Sequence, residues 1–305
     1  MNNTDIKLLK EIAGINGKIK GAYNIRRNGK GIERQVTDNI NIVTKKDKPG
    51  IDIYVKEDTQ NETVYIPVII TSGGIDDTVY NDFYIGKNAK VTIIAGCGIQ
   101  NDVDERARHE GIHTFYLEEG SQTKYVEKHY GTGEGTGDKV LNPITEIYSK
   151  KGSNMEIETV QIKGVDSSIR ETKAVLEDDT MLSISEKIMT HGKQYAKTIF
   201  DVELNGKNAR THVVSRAVAV EDSIQEFESR VEGNNLSYGH VECDAIIKDS
   251  GKVTAVPAII ANNVEANLIH EATIGKIAGE QLLKLMTLGL NEKKAEEQII
   301  AGFLK

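Results

Sequence analysis

The five residues Gly86-Lys-Asn-Ala-Lys90 return 120 positions later as Gly206-Lys-Asn-Ala-Arg210. Looser relatives stand between and after them: EEGSQTKY (118–125), KKGSNMEI (150–157), LEDDTMLS (176–183), HGKQYAKT (191–198) and EGNNLSYG (232–239). Steps between these turns run near 14, 26 or 32 residues, as if the chain were built from a unit of roughly 14–16. Self-similarity of that kind marks a solenoid, in which each short unit buries its apolar face only against its neighbours.

Between the turns, apolar residues recur with period 2. IDIYVKED, TVYIPVIIT, AKVTIIAG, TKYVEKHY, MEIETVQIKG, AKTIFDVEL, ARTHVVSRAV and SIQEFESRVEG follow one another with little helical spacing among them. These are strands. A β-sandwich would place turns every 8–12 residues without repeating one turn sequence, and no strict six-residue repeat supports a left-handed hexapeptide helix. The expected fold is mainly β, a parallel β-helix with about two units per coil. Residues 1–35 form an N-terminal segment that includes a helix from Thr4 to Gly14, 36–264 the β-helix core, and 265–305 a C-terminal helical segment. In that last segment Leu268, Ala272, Ile274, Ile277, Leu282, Leu285 and Met286 fall at helical spacing, Gly289 ends the first helix and Asn291 caps a second.

Composition agrees with thin, repetitive packing. Among 305 residues there is no Trp, and only five Phe and four Pro. The net charge of −8 offers no basic stripe, so nucleic acid is not an expected partner. No apolar run approaches the ~20 residues of a membrane span, and MNNTDIKLLKEIAGI has no secretory pattern. The cytoplasm is the expected compartment, where Cys97 and Cys243 are not expected to pair.

Few residues could carry chemistry. Cys243 stands in YGHVECDAII (238–247), where alternation puts it with Val241 and Ala245 and sets His240, Glu242 and Asp244 on the other face. On periodicity alone it is a buried thiol. His270-Glu271 sits where strand gives way to helix and reads as a first helical turn; Ile274 rules out a zincin HExxH pair. Cys97, between two glycines in IIAGCGIQN, reads as a small side chain at a tight corner. GTGEGTGDK (131–139) lacks the phosphate-loop pattern and reads as an excursion from the solenoid. His109 and His113 have i, i+4 spacing, but their flanks look extended, which argues against a helical metal pair. No nucleophile elbow is present.

The last 66 residues up to Leu304 carry a pattern of higher specificity. GHVECD, a turn, a strand containing Pro257, then LIHEATIGKIAGEQLLKLMTLGLNEKKAEEQIIAGFL resembles the SufB/SufD family of iron–sulfur cluster assembly proteins. The resemblance implies a right-handed parallel β-helix. It favours the SufB type, because Cys occupies position 243 and His-Glu positions 270–271. By the same resemblance Cys243 and Glu271 form the core of the assembly site with His270 beside them, holding iron and a transient cluster, expected to be 4Fe–4S. Thiolate, carboxylate and imidazole suit that cargo, and fewer than four thiolates leave it labile. The family further implies a SufC-type ABC ATPase docked on residues 275–303, a homodimer through the end of the β-helix, and a cysteine desulfurase or other sulfur source. The chain itself is expected to be a scaffold and not an enzyme, since it has no Walker motif; flavin binding is left open. Two other readings compete: a SufD-like docking subunit without a cluster, and a polysaccharide-acting β-helix enzyme, which the 5 % aromatic content disfavours.

Overall fold

A computed structural model describes residues 1–305. Two ten-stranded sheets face each other, and from Gly50 onward the chain alternates between them, one strand in each per coil except where Asn142-Pro143 splits one into Lys139–Leu141 and Ile144–Ser149. Every pairing in the body of the molecule is parallel; only two N-terminal hairpins, Ala22–Gln35 and Ile40–Val55, pair antiparallel and close that end. The result is a β-solenoid of about eight turns.

The coil length is the doubled unit expected from the turns. Tyr80 pairs with Ile112 and Ile112 with Ile144, steps of 32 residues. Further on, Glu171 pairs with Ile199, Ile199 with Glu228 and Glu228 with Val256, steps of 28 or 29. Because side chains alternate faces, an in-register stack places every inward residue above another inward residue. The core is therefore a set of columns, rich in Ile and Val, with Phe83 stacked on Phe115 at 4.3 Å.

The repeated turn has a mechanical cause. Asn88 and Asn208 sit in the left-handed region (φ 55° and 60°), which Asn tolerates better than most residues. Ala89 and Ala209 follow, fully buried at the corner, and each donates its N–H to the carbonyl of the glycine three residues earlier. Each Asn N–H donates to the next coil, Asn88 to Glu119 and Asn208 to Leu236. Gly206 is needed for close approach, because a Cβ there would lie 2.0 Å from Asp178 N.

Helix α1 (Asn3–Ala13) is capped by Asn2, not Thr4, through a reciprocal capping box with Asp5, and ends at Gly14. It lies on the outer face of the strand Lys90–Gln100, with Leu8, Leu9 and Ile12 buried. Asp5 is enclosed and ion-paired with Arg27 at 3.0 Å.

The boundaries differ from the sequence reading at both ends. Strands begin at Ala22, before residue 36, and continue past 264 through Lys252–Ala261 and Asn267–Gly275. His270 and Glu271 thus lie on the last strand and not in a first helical turn. Helices α2 (Gly279–Thr287) and α3 (Glu292–Phe303) follow, the second capped by Asn291 as expected. No helix is long and apolar enough to cross a membrane.

Gly206→Ala should lower the urea-unfolding free energy by about 1–3 kcal/mol, the usual cost of forcing atoms into filled space. Lys207→Ala, at an exposed position, should stay within about 0.5 kcal/mol. Equal stability of the two variants would refute the close-packed turn.

Candidate functional site

Three neighbouring strands of one sheet, Arg210–Ala219, Tyr238–Ile247 and Asn267–Gly275, carry the residues singled out at the C-terminal end. Ser215 pairs with Cys243 and Cys243 with Ala272, so the thiol points inward and only 1 % of the residue is exposed. Its neighbours His240, Glu242 and Asp244 take the other face, as alternation requires. Burial pushes the Cys243 thiol up to about 12, and the carboxylates of Glu186 and Asp244 add to the effect. At neutral pH the enclosed thiol is protonated and a poor nucleophile.

His270 pairs in register with Val241 and so shares the inward face with Cys243. Both ring nitrogens are enclosed without a hydrogen-bond partner. Burial, then the nearby His240, hold its pKa below the usual imidazole value. Glu271 pairs with Glu242 and faces outward, 65 % exposed, with its carboxylate 3.7 Å from His240 Nε2. His240 in turn stacks on His212 at 5.3 Å. Within one chain the last coil therefore brings Cys243 and His270 to one face and sets Glu271 on the opposite one. No three His, Cys, Asp or Glu side chains converge tightly enough to hold a metal ion as they stand.

Behind Cys243 runs a buried polar column that the sequence reading missed. Glu127, Thr159, Glu186, Ser215 and Cys243 occupy one inward column of successive strands. Ser215 Oγ donates to Glu186 Oε2 at 2.6 Å, Thr198 Oγ1 donates to Glu186 Oε1 at 2.9 Å, and these groups line one small cavity with Cys243. Arg170, from the opposite sheet, pairs with Glu127 and stands 3.9 Å from Glu186. Burial alone would raise the Glu127 pKa, but Arg170 and His129 hold its carboxyl well below the usual range. Strand parity was the available signal: counting in twos from Tyr125 puts Glu127 inward.

The remaining candidates resolve into structure. Both cysteines are free. Cys97 lies inside the strand Lys90–Gln100, not at a corner, and its thiol is buried. Its flanking glycines make room for α1: a Cβ on Gly98 would sit 3.2 Å from Leu8, and one on Gly96 3.2 Å from Ile12. Nor is GTGEGTGDK a free excursion. Gly133, Gly135 and Gly137 lie flat on the loop of the preceding coil, where Cβ atoms would come within 2.1–2.2 Å of backbone atoms of Asn101, Val103 and Glu105. His109 and His113 lie on an extended strand, as their flanks indicated, and both face inward.

Residues 82–303 match the family described as SUF system FeS cluster assembly, SufBD core domain. An iron–sulfur cluster assembly SufBD family protein of Methanocaldococcus jannaschii is 25 % identical over 240 residues, covering 77 % of this chain and 74 % of that protein. One from Pyrococcus horikoshii is 27 % identical over 237 residues, covering 77 % and 71 %. A longer relative from Methanothermobacter thermautotrophicus is 28 % identical over 239 residues, and the match spans 74 % of this chain but only 55 % of that protein.

Enclosure of both thiols predicts that iodoacetamide at pH 8 leaves Cys97 and Cys243 essentially unmodified in the folded chain and alkylates both in 8 M urea. Rapid native labelling of Cys243, read by peptide mass spectrometry, would contradict the inward placement.

Proposed function

The chain belongs to the SufBD family of iron–sulfur cluster assembly proteins, and from that membership we propose that it is the scaffold on which a cluster is built, at an interface between two copies, with motion supplied by a partner ABC-type ATPase. The observation that carries this reading is the position of Cys243. It is buried, yet only one strand separates it from the uncovered end of its sheet, where Asn267–Gly275 has no further neighbour. The same end exposes Val256, Ile259, Ile269 and Ile274, a solenoid terminus that wants a cap.

Two copies joined end to end would cover these apolar rungs. Each would bring an inward Cys243 and His270 and an outward Glu271 to one seam. Iron and sulfide are the cargo. The chain's part is to hold iron through the thiolate, with imidazole and carboxylate completing an incomplete thiolate set that can give the cluster up again. The thiol has to lose its proton to bind iron, and enclosure opposes that. Parting the last strand from its neighbour would admit water and lower the cost of the thiolate. Helices α2 and α3 follow that strand directly. α2 buries none of its residues, and Leu283, Met286 and Leu288 are exposed, which supports a docking role for 279–303.

The outward direction of Glu271 favours one other reading, a docking subunit that holds no cluster. Anaerobic reconstitution separates the two. Cys243→Ala should reduce bound iron and acid-labile sulfide to background while Cys97→Ala retains them; iron and sulfide unchanged in Cys243→Ala would sink the scaffold assignment. Leu283→Asp combined with Leu288→Asp should abolish capture of the ABC-type ATPase without altering the circular dichroism spectrum. Undiminished capture would move the docking surface elsewhere.

A further inference from the structure

The net charge of −8 conceals a basic end. Between Lys18 and Lys48 nine Lys and Arg stand against three Asp and Glu, and this stretch builds most of the two hairpins that close the solenoid away from Cys243. The strand Lys30–Gln35, at the limit of its sheet, lies eight strand spacings from the strand of Cys243, roughly 38 Å at the usual 4.8 Å per strand. Three of the nine cations are neutralised within the fold: Arg26 by Asp77 at 2.6 Å, Arg27 by Asp5, and Lys45 by Asp52 and Asp82. Lys18, Lys20, Lys30, Arg34, Lys46 and Lys48 are exposed. Of these, Arg34 donates only to the uncharged Asn24 Oδ1 and Ile42 carbonyl, and Lys48 lies 4.4 Å over the Tyr80 ring.

A groove of about 1150 Å3 opens between the hairpins. The first hairpin lines it with Gly31, Ile32, Glu33 and Arg34 in unbroken succession, and the second with Lys45, Lys48, Pro49 and Gly50. Successive side chains of a strand point to opposite faces, so a cavity that touches four residues in a row runs along the strand's edge and not over one face. That edge is open. Lys30–Gln35 pairs with Ala22–Arg27 on one side and with nothing on the other, and all six of its residues are exposed. The carboxylates beside the groove are engaged: Asp77 by Arg26, Asp76 by Arg106 and Arg108, and Glu33 by Tyr23 Oη at 2.7 Å. Arg34 and Lys48 are left without a counter-ion. No aromatic side chain lines the groove, so a nucleic-acid base has nothing there to stack on.

We propose that this groove takes an extended acidic segment of a partner protein, which pairs its main chain with the open edge of Lys30–Gln35 and sets carboxylates against Arg34 and Lys48. An edge strand offers a row of unpaired N–H and C=O groups that another main chain matches, while alternate side chains supply the choice of sequence. Gly31–Arg34 spans roughly 10 Å, so a segment of about six residues covers it. Ile32, 44 % exposed, takes an apolar side chain between the acids. Opposite charge speeds the encounter and makes it sensitive to salt.

The probe is a fluorescein-labelled hexapeptide of alternating Glu and Val, followed by fluorescence anisotropy with the full chain. It should bind saturably, and more weakly as salt is raised. Gln in place of Glu in the peptide should weaken binding at least tenfold, as should Arg34→Glu combined with Lys48→Glu in the chain. The same peptide N-methylated throughout keeps every charge but loses edge pairing, and should also bind at least tenfold more weakly. The proposal fails if the parent peptide does not bind saturably. It fails equally if the methylated peptide, or the charge-reversed chain with its circular dichroism spectrum intact, binds as tightly as the parent pair. A thymidine oligonucleotide that binds more tightly than the peptide would overturn it too, making the basic end a nucleic-acid surface. The methylated peptide needs no variant, so the test stands even where Arg34→Glu prevents folding.

Discussion

In-register parallel stacking is the constraint on which the rest of this molecule depends. Each coil is hydrogen-bonded to the next with no change of parity from Met155 to Ala272, so an inward residue is always stacked on inward residues. A residue's chemistry is then set by its column as much as by its own strand. Cys243 is enclosed because Val241 and Ala245 are, and it shares a small cavity with Glu186 because only the short Ser215 lies between them in the column. The turns serve the same constraint: a left-handed residue, mostly Asn, Asp or Gly, and a small buried residue let successive corners stack without changing register.

A thin interior makes charge expensive, and the chain keeps some there nonetheless. Glu127, Arg170 and Glu186 are all buried, one cation between two carboxylates. Apolar residues of similar size are often as stable as a buried ion pair, whereas removing one partner costs about 3–5 kcal/mol. Hydrophobic stability therefore does not account for this trio. What it does physically is tie the two sheets together at a fixed point, since Arg170 comes from one and both carboxylates from the other. It also sets a charged partition between the interior around Cys97 and the interior around Cys243.

Much of the fold was legible because repetition amplifies weak signals. One turn sequence, heard twice, fixed the solenoid, and alternation placed Cys243 inward before any coordinates were needed. The misread boundary has a specific cause. Leu268, His270, Ala272 and Ile274 alternate on one face of the last strand, yet Leu268, Ala272 and the residues beyond them also satisfy helical spacing. Short apolar runs do not distinguish the two. The interior network was hidden for another reason. Glu127, Arg170 and Glu186 belong to three strands up to 59 positions apart, and charged residues are assigned outward by default. Only strict parity counting along each strand would have placed them inside.

The outward Glu271 is where family pattern and single-chain geometry part. Adjacent residues on a strand point to opposite faces, so His270 and Glu271 cannot both reach the interior beside Cys243 while Asn267–Gly275 stays paired. An edge strand, however, is hydrogen-bonded on one side only. With Lys252–Ala261, the end strand of the facing sheet, it is one of the two strands at this end that can twist or peel without breaking two ladders. On the proposed scaffold reading, a site built there is completed by the second copy that meets that edge. Deep columns hold the thiol still and protonated, and of the two strands that flank Cys243 in its sheet, Asn267–Gly275 is the one held by a single ladder.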